Sequence, residues 1–526
     1  MSLRAAAWAL ALSSSVVWAQ DPDAAAVAAA VQGPRFAIFE YRIEGNTALD
    51  AERIERAVYP FLGESRTADD VESARSALEK AYRDAGFGTV VVDTPEQRVS
   101  SGVVVLNVTQ GTVARLRVVG AQHYSQERIL EKVPELAEGQ TPNFKQVSTQ
   151  LAGVNRSADR RVTPLLRPGK TPGTTEVDLT VEDHLPLHGS LELNNHYSAN
   201  TTHSRLLGSL RYDNLWQAEH SVGVQLQISP ENRDEVEVFS GSYTVPLGEN
   251  LLVFSAIRSN SQVFAGVGDV TVFGRGSIYG LREIFVLEGN PHLVHTLTAG
   301  ADYKDLKEDV TVGAQGIATP IRYLPFSLGY ALTRDDDAGQ WQAGVGMTFA
   351  LRGLASDESQ FENKRYRAQS NFSILKFDLA RTQKLPRGLS AFGKLDGQIS
   401  AQPLISSEQF VAGGADSVRG YLEAAAVGDT ALHGTLELRS PNFALDHWPV
   451  LAGLQVHAFA EGAYLQLRSP LPQQTARFQL LSTGFGLRLY AKQYASLALD
   501  VGWPLRDSGS TRSGEPRLHA RGVFEF

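Results

Sequence analysis

From Leu187 to the C-terminal Phe526, apolar residues return at every second position, and no stretch holds the roughly 20 consecutive apolar residues that a membrane helix needs. Val222, Val224, Leu226 and Ile228 share one face of the segment 221–228. Along Gln340 to Arg352, Trp341, Ala343, Val345, Met347, Phe349 and Leu351 face one way, with Gln340, Gln342, Gly344, Gly346 and Thr348 opposite. Ala495, Leu497, Leu499, Val501 and Trp503 repeat the theme. An apolar face alternating with glycine and small polar residues is the pattern of a strand with hydrocarbon outside and water inside. About 16 such segments follow one another, the first near residue 187, the tenth near 365 and the last near 517. An even number lets the first and last strands pair antiparallel, and closure removes the free edge that lipid does not tolerate. The expectation is a membrane β-barrel of about 16 antiparallel strands over 185–526.

The N-terminus, MSLRAAAWALALSSSVVWAQ, places Arg4 ahead of an apolar run from Ala5 to Ala19, with Val17 and Ala19 before Gln20. That run is too short to span a bilayer, so 1–19 reads as a cleavable secretory signal and the mature chain as exported. Composition cannot separate a barrel from a soluble protein: mean hydropathy is −0.17 and apolar content 43%. It does exclude other classes. With no cysteine there is no disulfide, thiolate catalysis or thiolate metal site. A net charge of −9 leaves no basic stripe for nucleic acid.

Ahead of the strands lie two units of similar order. In the first, 36–111, Ile38 to Glu44 alternates, and a helix runs from about Asp50 to Tyr59 before Pro60. A second helix opens at Thr67, where Thr67 and Asp70 form a capping box, and it carries Val71, Ala74, Leu78, Ala81 and Tyr82 on one face. Thr89–Val92 and Val103–Val108 supply strands. The second unit, 112–183, repeats the order: Leu116–Gly120 echoes Tyr41–Gly45, helices are expected near Gln126–Lys132 and Phe144–Arg160, and strands at Val162–Leu166 and Glu176–Val181. On pattern alone one larger α+β domain is the plain alternative; two tandem α+β units of this order resemble POTRA domains, the periplasmic modules that bind client chains. Short edge strands leave backbone groups free to accept an extended segment.

Val418-Arg419-Gly420-Tyr421 sit in a long linker, 403–427, after Gly413-Gly414 and before Gly428-Asp429 and Glu437-Leu438-Arg439. With the paired units and the strand run, this resembles the two-partner secretion transporters (the TpsB family of ShlB/FhaC/HecB-type haemolysin secretion/activation proteins), outer-membrane barrels in which an inward-folded loop carries the motif. Tyr212–Trp216 with Glu219-His220-Ser221, and Ser242–Leu247, resemble early hairpins of the same family. The resemblance implies a translocation pore in the outer membrane of a Gram-negative bacterium. Its periplasmic POTRA domains would recognise an exported, unfolded partner, a TpsA-type protein with an N-terminal secretion domain. It implies no cofactor. The final segment Leu518–Phe526, with Phe524 and Phe526, resembles the signal by which the barrel assembly machinery recognises its clients. Family members often carry an N-terminal plug helix. Here only 20–35 is available, and Ala24–Val31 spans roughly 12 Å, so a vestigial or absent plug is expected.

Inside a lumen, the Arg419 guanidinium needs a carboxylate on the wall. Glu461 is the candidate. It shares a face with His457 and Phe459, opposite Val456, Ala458 and Ala460, and the resemblance adds an aromatic-x-acidic pattern on this strand whose acid, usually Asp, meets the loop arginine. Gly420 is expected to free the loop tip and Tyr421 to pack it. An exposed loop arginine and an unrelated wall glutamate are the plain alternative. No catalytic constellation stands out: the 12 histidines show no HExxH, Gly274-Arg275-Gly276 opens no helix, and Asp335-Asp336-Asp337 reads as a solvated turn, not a metal site. Two other functions compete with secretion: an assembly factor that inserts barrels, and a passive porin.

Overall fold

The computed structural model describes residues 34–526 apart from 268–269, 313–314, 355–356, 446–447, 449 and 492–493, and within this range side chains of 262–273 and 308–318 are also left aside. The expected signal, 1–19, and the expected remnant of a plug lie outside the described residues, save 34–35. The chain divides into two compact units, Met1–His184 and Leu185–Phe526.

The first unit contains two modules with separate cores. In the first module, Glu40–Glu44 runs parallel to Val103–Gln110, which pairs antiparallel with Val90–Asp93. The helices Ala51–Val58 and Ala68–Ala85 cover this sheet. The capping box at Thr67 forms, with Asp70 on the backbone N–H of Thr67 at 2.8 Å, and Gly86 closes the helix in the left-handed region. Val71, Ala74, Leu78 and Tyr82 are the buried face. A short strand, Gly63–Arg66, pairs with Phe36–Ile38 between the helices. Its sequence, GESR, has no alternating apolar pattern, and tertiary pairing alone makes it a strand.

The second module has its own sheet, in which Thr112–Val119 lies parallel to Thr174–Asp183, and Arg160–Pro168 takes the other edge. Its helix Phe144–Val154 ends sooner than the expected Arg160. Asn155 stops it by turning its side chain onto Val162 N and O, which starts the next strand. The modules join helix end to helix start. Asn143 caps Phe144–Val154 by accepting from Lys145 N and Gln146 N. Its Nδ2 donates to Ala85 O (3.1 Å), Phe144 N to Gly86 O (2.9 Å) and Lys145 Nζ to Asp84 O (2.6 Å). The last carbonyls of one helix thus accept from the first donors of the next, so each satisfies the other's orphan groups.

In the second unit, eighteen described strand segments close one antiparallel barrel. Gln315–Tyr323 with Pro325–Asp336 flank the same preceding strand, and Thr430–Arg439 with Phe443–Ala444 the same following one, so each pair is one interrupted strand. Sixteen staves result, as the alternation requires. Pro325 and Pro441, which carry no backbone N–H, sit at the breaks. The first stave, Leu187–Asn194, pairs with the last, Arg517–Glu525, and Phe526 exchanges two 3.0 Å backbone hydrogen bonds with Gly189. The outer face carries large apolar residues such as Leu436 (67% exposed) and Phe485 (58%), whereas Thr435 and Glu437, either side of Leu436, point inward. No described helix is long and apolar enough to cross a membrane. The tenth stave begins at Ser373, not near 365, because the residues before it form the helix Glu358–Lys364 and an inward-packed turn.

Removing the Asn143 side chain takes away both cap bonds and the bridge to Ala85. Asn143→Ala should cost about 1–2 kcal/mol, read as a lower urea midpoint for a fragment 36–184 at unchanged slope. An unchanged midpoint would show that the junction contributes nothing to stability.

Candidate functional site

Between the staves Ser390–Ser400 and Thr430–Arg439 the chain folds into the lumen. Phe410–Ala412 pairs with Ala426–Gly428 to make a two-stranded neck, and residues 413–425 form the tip. Val418 and Tyr421 are fully buried in a small apolar cluster with Ala412, Ala463, Leu465 and Leu480. The Tyr421 hydroxyl donates to Arg506 O (2.9 Å) and accepts from Leu481 N (3.2 Å), which ties the tip to the wall.

Arg419 occupies the centre. Its backbone N–H donates to Glu461 Oε2 (2.7 Å) and its Nε to Oε1 (2.9 Å), with Nη2 also on Oε1. Glu461 is joined by two further acids, so three carboxylates converge. Nη2 reaches Glu437 Oε1 at 2.5 Å, and Nη1 reaches Asp500 Oδ1 at 3.4 Å and His457 Nε2 at 3.2 Å. Arg439 bonds Glu437 through Nε (2.8 Å), and Arg488 bonds Asp500 through Nη2 (2.9 Å), so three guanidiniums face three carboxylates and the cluster is neutral as a set. The Arg419 guanidinium carbon lies 3.7 Å from the Phe459 ring centroid, which supplies a stacking face.

Burial decides what these contacts are worth. The side chains of Arg419 and Glu461 are 4% and 3% exposed, so water does not screen them as it would a surface pair. Removing one partner leaves an unmatched buried charge, at a cost on the order of 3–5 kcal/mol.

Gly420 has a φ of +93°, the left-handed region, and its N–H donates to His519 Nε2 (2.9 Å). The tip there lies directly on Gly502 of the stave Ala495–Pro504. A Cβ on Gly502 would stand 2.6 Å from Gly420 N and 2.7 Å from the Arg419 carbonyl carbon. Two glycines face each other because the backbones touch.

Glu437, His457, Asp500, His519 and Gly502 were not singled out by sequence as partners of the tip. Each obeys the inward parity of its strand, as many lumen residues do, and parity does not say which strand the tip touches. The other expected features fall as follows. Phe524 and Phe526 lie at the barrel seam with ring centroids 6.4 Å apart. Asp336 of the Asp335–Asp337 turn is bridged by Arg381 (2.7 and 3.0 Å). Gly274–Gly276 lies within the strand Val270–Val286.

A family model described as haemolysin secretion/activation protein ShlB/FhaC/HecB matches residues 173–489, and one for the ShlB-type POTRA domain matches 36–111. Among curated proteins, the chain is 23% identical to the outer membrane transporter CdiB of Dickeya dadantii (strain 3937), over 90% of this chain and 84% of the relative. Among solved structures, CdiB from Escherichia coli aligns with a TM-score of 0.66 at 20% identity, covering 95% of this chain and 92% of that one. BamA from Haemophilus ducreyi lacking POTRA domains 1–3 aligns with a TM-score of 0.56 at 13% identity, covering 93% and 100%. At these identities the solved structures share the fold.

Gly502→Ala should dislodge the tip without removing any charge. The measurement is single-barrel conductance in a planar bilayer, with heat-modifiable migration confirming an assembled barrel. Gly502→Ala and Arg419→Ala are expected to shift conductance in the same direction. Native conductance in Gly502→Ala would mean that the two backbones are not in forced contact.

Proposed function

The chain belongs to the haemolysin secretion/activation protein family ShlB/FhaC/HecB, and on that footing we propose a specific division of labour for the secretion of its partner. It is an outer-membrane β-barrel transporter with its POTRA region in the periplasm, and it exports a partner protein. The family's activity is transport, not catalysis.

The finer reading is that both modules, 36–111 and 112–183, receive an unfolded TpsA-type client through its N-terminal secretion domain, and that the Val418–Tyr421 tip sets the conformation of the lumen through which it passes. Free edges support the first half. Glu40–Glu44 and Arg160–Pro168 are outermost strands of their sheets, and the second presents exposed Leu165 and Leu166 beside unpaired backbone groups. A client segment can add there as a further strand. The observation that carries the second half is the burial of Arg419 among Glu437, Glu461 and Asp500. A charge cluster of this kind holds one geometry tightly and, when one contact is lost, leaves the rest unmatched. Phe524 and Phe526 serve in this reading as the C-terminal signal read by the barrel assembly machinery, and the apolar outer face meets outer-membrane lipid.

Surface release of the partner, normalised to heat-modifiable barrel, tests the tip. Arg419→Ala should abolish release while the barrel still inserts. Glu461→Gln should lower it by about tenfold or more, a difference of about 1.4 kcal/mol, and Glu461→Asp should retain most of it. Near-normal release from Arg419→Ala would remove the role assigned to the loop. The modules are tested separately by calorimetry of the fragment 36–184 with the secretion domain of the genetically linked partner, where micromolar binding, roughly −8 kcal/mol, is expected. A folded fragment that gives no heat would rule out capture by these modules.

A further inference from the structure

Inward-facing residues of a barrel that conducts an extended chain should be polar. On one side of this lumen they are not. Val238, Ile257, Ile278, Leu306, Ile321 and Tyr323 project inward from five successive staves and are buried. What covers them is the segment 357–372, between the staves Gly339–Ala350 and Ser373–Lys384, together with Leu404 and Ile405 at the root of the inward loop. Phe361 of the helix Glu358–Lys364 stacks edge-on against Tyr323 (5.5 Å) and packs near Phe372 (6.1 Å). The same helix satisfies the outer part of the interrupted stave: Arg322 N donates to Gln360 Oε1 at 3.1 Å.

One carboxylate ties this cover to the loop. Asp429, 0% exposed, accepts from Arg365 Nη1 (2.5 Å) and Nη2 (2.7 Å), from the backbone N–H of Leu404 (3.0 Å) and Arg468 (2.6 Å), and from Gln409 Nε2 (3.1 Å). Arg365 spends further donors on Leu404 O and Arg468 O (3.0 Å). Four segments therefore meet at a single acid: the cover, both limbs of the inward loop, and the turn after the stave Leu451–Gln466. On the opposite flank of the loop root, Glu408 accepts from Lys304 Nζ (2.6 Å) and Tyr323 OH (2.7 Å), which fixes the root to the wall under the cover.

We propose that residues 357–372 are an outer lid of the export pore and that Arg365 and Asp429 are its latch, positioning residues that couple the lid to the root of the Val418–Tyr421 loop. The client cannot pass while the apolar cluster is closed. The lid and the loop root share one acid, so displacing the loop breaks the two Arg365–Asp429 bonds that hold the lid. A guanidinium fork satisfying both carboxylate oxygens suits a latch, because it is geometrically exacting and fails as a unit. The proposal rests on the reading of the barrel as an export pore, and its test uses ion current and chemical accessibility, so its failure is distinguishable from a failure of secretion.

The chain has no cysteine, which makes Ala368→Cys, at 3% exposure on the buried side of the lid itself, a clean reporter for a membrane-impermeant maleimide applied to intact cells. In the full chain carrying Ala368→Cys, Arg365→Ala or Asp429→Asn should raise the labelling rate by about tenfold, equivalent to about 1.4 kcal/mol in favour of the open lid. Bilayer conductance should rise in the same variants. The double variant should behave as the stronger single variant, because both changes remove one latch. Arg365→Lys, which keeps the charge but loses the fork, should fall between native and Arg365→Ala, and it serves as the test if Arg365→Ala does not assemble. Native labelling rate and native conductance in heat-modifiable barrels of these variants would overturn the proposal, as would strict additivity in the double variant.

Discussion

A backbone amide in hydrocarbon has no partner but another backbone, and everything else in this protein follows from that demand. It forces the strands to close on themselves, from Leu187–Asn194 round to Arg517–Glu525, with Phe526 extending the seam onto Gly189. Closure fixes which side of each strand faces lipid. It thereby creates an interior in which charged side chains can be buried against one another and not against a membrane.

The interior is used at two depths. Around Arg419, three acids and three guanidiniums form a neutral set, with Phe459 stacked beneath, so no member carries an uncompensated charge while the tip is in place. Nearer the outer rim the chemistry changes. There the lumen wall is apolar, covered by 357–372, and a single buried acid, Asp429, gathers the donors. Because both anchors hold the same loop, at its tip and at its root, displacement at one is felt at the other through about ten residues of chain. Gly420 on Gly502 adds a steric condition: the tip fits only where both residues lack a side chain.

The periplasmic unit obeys a gentler version of the same accounting for backbone groups. Asn143 and Gly86 let the end of one helix satisfy the start of the next, so the two modules share hydrogen bonds across their junction and each keeps its own core. Their outer strands keep unpaired edges, which water tolerates and lipid would not. An edge is available for a client only because the modules lie outside the hydrocarbon.

Local chemistry made the barrel, the helices and the loop motif legible in the sequence. Period-two alternation is a property of consecutive residues, as is the Thr67–Asp70 capping box, and the inward parity of Glu461 and Phe459 could be read from their own strand. Gly63–Arg66 was illegible because its pairing with Phe36–Ile38, not its composition, makes it a strand. The same limit applies at the site. Asp500 and His519 have the right parity but no mark distinguishing them from other lumen residues, nothing in the sequence says that Glu437 and His457 meet the tip, and the Arg365–Asp429 contact spans 64 residues. The sequence by itself determined that the chain folds into a closed wall of alternating strands, with an arginine loop between two staves. Only the tertiary structure decided which wall residues that arginine meets, and that a second acid holds a lid, because those contacts depend on how the barrel's curvature brings distant strands around one folded-in loop.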